Sequence, residues 1–203
     1  ARGPTCDHRA VRVWMDHPAS YPVTLAIAAL GGVLTGSIVV GLALGAALSI
    51  AWGALRAALA SSGGRRIAWI ALAAVAALTA AVQFVPYGRD HTNPPVTAEP
   101  AWDSPETRAL AVRACFDCHG NETAWPWYTD LAPVSWLVTD HVVAGRRVLD
   151  FSTWDRPQNE SSEIAETIRE GEMPPAYYTI LHPEARLSDA EKEQLIDGLR
   201  ATI

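Results

Sequence analysis

Residues 17–55 contain no Asp, Glu, Lys or Arg, a run of 39 positions. No feature of the chain constrains its fold more. A soluble domain of this size has no core large enough to bury such a segment, whereas a bilayer core of about 30 Å takes about 20 apolar residues per crossing. A single helix of 39 residues would measure about 58 Å. That is long for one crossing and short for two with a turn. The expectation is therefore one long helix over 22–60, tilted or projecting from the lipid. A second apolar segment, 67–85, is bounded by Arg65 and Arg66 before and by Pro86, Arg89 and Asp90 after. It reads as an ordinary second span.

The first span carries small residues at Gly32, Gly36, Gly41, Gly45, Ser49 and Gly53. Small residues at fourfold spacing let helix backbones approach closely. Such a face predicts a packing partner, either the second span or another subunit. Arg56, Arg65 and Arg66 flank the connection between the spans, which favours the cytoplasmic side for it. Arg2, Arg9 and Arg12 make the N-terminal tail (1–21) basic as well. The text before Cys6 lacks the apolar stretch of a lipid-attachment signal, so Cys6 reads as a free thiol. The long apolar run likewise lacks the cleavage site of an ordinary secretory signal.

Charge divides the chain. Residues 1–89 hold seven arginines and two acids, a net of +5, while residues 90–203 hold 20 acids against nine Lys and Arg, a net of −11. No nucleic-acid partner is expected of the acidic part, which would repel phosphates. Residues 87–103 contain Pro94, Pro95 and Pro100 and read as an extended tether of roughly 50 Å at ~3.1 Å per residue. Residues 104–203 read as a small helical domain. Ser104 and Pro105 open its first helix, and Ser188 with Glu191 forms a capping box for its last, whose buried stripe is Leu195, Ile196, Leu199 and Ile203.

The first helix of that domain ends in Cys115-Phe-Asp-Cys118-His119. C-x-x-C-H is the attachment pattern for c-type haem. Two thiols three residues apart reach the two vinyl groups of one porphyrin, and the next residue sets an imidazole against the iron. Zinc would want two further Cys or His ligands at matching spacing, and no other Cys lies in this half. A redox dithiol of thioredoxin type would want a βαβ context, which the sequence does not offer. Covalent haem attachment takes place outside the cytoplasm, so this domain is expected on the periplasmic side of a bacterial cytoplasmic membrane.

Four residues compete for the other axial position. Met173, 54 residues after His119, is the only Met of the domain and lies in a loop stiffened by Pro174 and Pro175. It is the preferred ligand. His141 is the alternative, with His182 behind it, and His91 reads as a solvated linker residue. Trp125, Trp127, Tyr128, Trp136, Trp154 and Tyr177 read as haem-pocket packing, and Arg146 and Arg147 as partners for the propionates.

The stretch "CFDCHGNETAWPWYTDLAPVSWLVTDHVVAGRRVLDFSTW" followed by "IREGEMPPAYYTILHPEARLSDAEKEQLIDGL" resembles the bacterial haem-binding domain family of c-type cytochromes and, more distantly, class I cytochrome c. The resemblance covers about 104–200. It implies an all-α domain wrapped around one haem, with Cys115, Cys118 and His119 on one side and Met173 on the other. In class I relatives a proline carbonyl accepts the imidazole N–H, a role that falls here to Pro133 or Pro126. Where the family commonly shows Asn before its Phe-Ser-Trp segment this chain has Asp150, and Thr153 intervenes before Trp154.

The expected architecture is thus all-α: a transmembrane helical hairpin followed by a class I cytochrome c-like domain. The expected function is that of a membrane-anchored monohaem carrier of single electrons, not itself an enzyme, serving as a subunit of a respiratory or photosynthetic complex. Its acidic surface would meet a basic docking face. Two other readings compete: a five-coordinate haem sensor or peroxidase, and an assembly subunit whose haem is structural.

Overall fold

A computed structural model describes residues 20–158 and 163–203. The N-terminal arginines, Cys6 and the two serines expected ahead of the helix before Met173 lie outside the described residues. Nine α-helices are described: α1 (Ser20–Thr35), α2 (Ile38–Leu59), α3 (Gly63–Val82), α4 (Pro105–Ala114), α5 (Phe116–His119), α6 (Val134–Val148), α7 (Ile164–Arg169), α8 (Ala176–Leu181) and α9 (Asp189–Thr202). Two short 3-10 turns, Trp127–Asp130 and Pro183–Ala185, accompany them. Among the described residues there is no strand, only an isolated bridge between Ala98 and Thr153. The chain forms two compact units. One holds the described residues up to Arg89 together with Pro126–Trp136, and the other holds Asp90–Trp125 and Leu137–Ile203.

The first unit corrects the expected single helix over 22–60. The helix breaks at Gly36, whose φ of +70° suits a residue without a Cβ, and Ser37 caps the next helix by accepting from the Val40 N–H. α1 then folds back along α2. The small residues explain why this is possible. A Cβ on Gly41 would sit 2.7 Å from the Gly32 Cα, and one on Gly45 would sit 3.0 Å from the Ala28 Cβ. One turn further, Ser49 Oγ and Thr24 Oγ1 are hydrogen-bonded at 2.9 Å. The stripe Gly41–Gly45–Ser49 therefore meets Gly32, Ala28 and Thr24 in antiparallel register. Its partner is the preceding part of the same charge-free run. α2 also packs on α3, where buried Ala54, Ala58, Ala76 and Ala80 keep side chains small. α2 and α3 are both long and apolar enough to cross a membrane, and α1 is a shorter apolar helix. Leu25, Val33, Ile38, Leu42, Val75 and Leu78 project outward from these helices.

The second unit is built differently. Phe116 and Phe151 stack at 5.5 Å, with Trp102 and Trp154 packed at 5.3 and 5.9 Å from Phe151. Around them close Leu110, Ile168, Leu187, Leu195, Ile196 and Leu199. Each fully buried side chain of this size contributes about 1.5–3 kcal/mol. Ser104 caps α4 through the Thr107 N–H, and the Ser188–Glu191 capping box opens α9 as its sequence predicts. Ile203, expected in the buried stripe, is exposed at the frayed end of α9.

The expected tether is also corrected. The prolines do keep residues 90–102 extended, but an extended backbone offers its polar groups to neighbours. Thr97 N–H donates to Ser152 (2.9 Å), Trp154 N–H to Ala98 (2.9 Å), and the Asn121 side chain to Pro95 (3.0 Å). Glu99 takes two bonds from Arg108, at 2.7 and 2.6 Å. The segment is thereby laced onto the acidic unit over most of its length.

Candidate haem-binding cavity

α4 carries Cys115 to its C-terminus, and the single turn of α5 follows at once, with the His119 N–H donating to the Cys115 carbonyl at 2.8 Å. That turn sets the two thiols and the imidazole side by side. Gly145 of α6 makes the close approach to it possible, because a Cβ there would lie 3.2 Å from the Cys118 Cβ and closer still to its backbone.

The stretch after α6 fixes the imidazole. His119 Nδ1 lies 3.1 Å from the Leu149 carbonyl oxygen, and the Phe151 N–H donates to the His119 carbonyl at 2.8 Å. A carbonyl oxygen only accepts, so Nδ1 carries the proton and Nε2 the lone pair. Neither expected proline performs this role. The Pro126 carbonyl instead accepts from Thr129, and that of Pro133 from Trp136. Leu149 displaces them because residues 149–151 run alongside the C-x-x-C-H turn.

Cys115, His119 and Met173 line one hollow, which Phe151, Ile164 and Ile168 make apolar. Met173 follows α7 and Gly171, whose φ of +77° reverses the chain, and the Glu172 N–H returns to the Thr167 carbonyl at 3.1 Å. Burial pushes the Cys115 thiol up to about 12, while burial and then the Asp117 charge push Cys118 up to about 11. Reactive redox dithiols depend on a depressed thiol pKa. These two are held neutral, the reverse of that arrangement. Among the described residues no group of three or more His, Cys, Asp or Glu gathers to hold a metal by itself. The donors thus fit a porphyrin: one imidazole with Nε2 basic, one thioether, two neutral thiols and an apolar hollow.

The other expected pocket residues lie elsewhere. Trp127, Pro133 and Trp136 belong to the unit of the apolar helices. Trp125 stacks on His91 at 4.7 Å, so His91 is not a bare linker residue. Tyr177 is exposed and sits 5.4 Å from the ring of His141, and neither lines the cavity. Arg146 donates to the Gly120 carbonyl (2.9 Å), Thr123 Oγ1 (2.9 Å) and Asn93 Oδ1 (3.1 Å), bracing the loop after His119. It borders a separate polar hollow with Arg147, Asp150 and Arg156. Burial lowers the Arg146 pKa, opposed in part by Asp150.

One pair escaped the sequence reading. Tyr178 Oη donates to Asp117 Oδ2 at 2.5 Å, tying α8, just beyond Met173, to the turn between the two cysteines. Burial, then this bond, raise the Tyr178 pKa. Asp117 Oδ1 also accepts from the Ala124 N–H at 2.9 Å, and the Tyr178 ring stacks on His182 at 4.1 Å. The spacing of 61 residues gives no local signal, so only the fold reveals the partners.

A family model described as "Haem-binding domain" matches residues 77–201. The match begins within α3 and takes in the laced segment as well as the cavity. No curated protein and no solved structure matches the chain. With well over half of its length inside that match, and with Cys115, His119 and Met173 on one cavity, this chain belongs to the haem-binding domain family.

Proposed function

We propose that the protein is a membrane-anchored monohaem c-type cytochrome that passes single electrons as a subunit of a respiratory or photosynthetic complex, with the haem unit on the periplasmic side. The observation that carries this reading is the convergence of Cys115, His119 and Met173 on one apolar cavity with His119 Nδ1 already engaged. Cys115 and Cys118 would hold the haem as thioethers, each thiol S–H adding across a vinyl group with no oxidant consumed. His119 would offer Nε2 and Met173 its sulfur to the iron. The Leu149 carbonyl orients the imidazole and increases its basicity. Bound haem supplies a one-electron couple, and His/Met ligation raises its potential and leaves no vacant position. Phe151, Ile164 and Ile168 give the site an apolar wall. The net charge of −11 on residues 90–203 supports docking to a basic partner with a strong dependence on ionic strength.

The test is spectroscopic. Alkaline pyridine spectra of the purified protein are expected to show a haem with both vinyl groups saturated. The native reduced protein is expected to be low-spin and inert to carbon monoxide, and Met173→Ala high-spin and carbon monoxide-binding. A high-spin native protein overturns the carrier in favour of a sensor or peroxidase.

A further inference from the structure

Residues Pro126–Trp136 lie inside the family match yet pack with the apolar helices. Leu131 packs against the cluster formed by Val40, Leu44, Ala47 and Ala80 of α2 and α3. Between the 3-10 turn Trp127–Asp130 and α6 the backbone is not helical, and polar groups at this point are taken up by residues at one end of that hairpin. Gln83, the C-cap of α3, is only 2% exposed. Its Nε2 donates to the Ala132 carbonyl at 2.8 Å, and its Oε1 accepts from the Ala132 N–H at 3.1 Å. Ser37, the N-cap of α2, donates to Asp130 Oδ2 at 2.9 Å. Arg89 Nε donates to the Asp130 carbonyl at 3.2 Å. A buried side-chain amide satisfying both backbone polar groups of one residue is what irregular backbone needs where water is scarce.

The same end of the unit exposes aromatic rings. Trp127 is 65% exposed, Phe84 60% and Tyr87 49%. Tryptophan and tyrosine concentrate where a membrane meets water, because their rings are apolar and their N–H and O–H groups polar. The apolar outer faces of α2 and α3 run up to this ring and stop there.

We propose that Pro126–Trp136 is an interfacial anchor, seated in the lipid headgroup layer with Trp127 in contact with lipid, and fastened to the spanning helices by Leu131 and Gln83. The occupant of this aromatic face is the bilayer surface. The inference rests on α2 and α3 spanning the membrane, and the test separates the two claims.

The haem-loaded full chain carrying Cys6→Ser is placed in nanodiscs of phosphatidylcholine and phosphatidylglycerol. A nitroxide is attached in turn at W127C, V75C and E106C, and its collision rates with oxygen and with a water-soluble nickel chelate are compared. Val75 projects outward from α3, and Glu106 lies exposed on the acidic unit. The oxygen-to-nickel ratio at 127 is expected to exceed that at 106 severalfold and to fall below that at 75. A lipid-like value at 75 with a water-like value at 127 overturns the anchor and leaves the spanning helices intact. A water-like value at 75 overturns both. Spin–spin broadening between chains at 127 assigns the face to a second copy and likewise overturns the proposal. In Q83L the 127 label is expected to move toward the value at 106, and an unchanged ratio removes Gln83 as the fastener.

Discussion

The apolar unit and the haem-binding unit hold together by opposite means. In the first, contact is made by absence of side chain: Gly41 against Gly32, Gly45 against Ala28, and alanines along α2 and α3. Apart from Val40 and Leu44, most of its large residues point outward. In the second, large residues point inward, and Phe116, Phe151, Trp102 and Trp154 meet ring on ring, with Phe151 also lining the cavity. On the membrane-anchored reading proposed above, the difference follows from solvent. Lipid offers no hydrophobic gain for burying Leu against Leu, so close backbone packing decides. Water rewards every ring that leaves it. One chain shows both rules on either side of Arg89.

The widest break between the units comes from the thiols. Cys115→Ala with Cys118→Ala is expected to abolish the mass added by covalent haem while leaving the apolar helices folded, read by intact-protein mass spectrometry beside helical content in detergent. A retained haem mass would mean the cysteines are not its attachment points. Next in size is Phe151→Ala. Loss of this ring from the centre of the aromatic stack is expected to cost about 3–5 kcal/mol, measured by denaturant unfolding of the haem signal. Leu78→Ala, on an outward face of α3, is expected to stay within about 0.5 kcal/mol. Equal losses at the two sites would erase the contrast drawn above.

Gly41→Leu probes the other rule. The added side chain collides with α1 and is expected to destabilise the hairpin by about 1–3 kcal/mol, read as a lower melting temperature in detergent with an unchanged haem spectrum. Smallest is the effect of charge. The Arg113 guanidinium, then the Ser188 groups, hold the Glu191 carboxyl down at about 2, against an ordinary value of 4.5. A depressed acid stabilises the folded state above its unfolded pKa, and that contribution is lost as pH falls from about 4.5 to about 2. Glu191→Gln is expected to flatten the acid limb of stability in that window and to lower stability by a constant amount at neutral pH.

Several elements were legible because they depend on neighbours in sequence. The C-x-x-C-H turn, the Ser104 cap with Pro105 and the Ser188–Glu191 box are local, and each forms where its residues predict. The small-residue stripe was legible as a packing face, but its partner was not. Register between α1 and α2 depends on the break at Gly36, and a glycine in an apolar run reads equally well as helix. The proline-rich 87–103 shows the same limit. Its extended backbone was predictable, but its partners Ser152 and Asn121 lie far along the chain.

Composition and spacing alone determined that the chain has an apolar helical part and an acidic part, that Cys115, Cys118 and His119 share one local turn, and that Met173 is the foremost candidate to meet them. Tertiary structure decided that the Leu149 carbonyl, not a proline's, accepts the hydrogen bond from His119, and that Tyr178 grips Asp117. It also decided that Trp127 and Trp136 belong with the apolar helices instead of the cavity. The reason is physical. Motif chemistry lives in side chains a few residues apart, which sequence displays directly. A carbonyl acceptor has no side-chain identity, and a contact between distant segments exists only once the chain has folded back on itself.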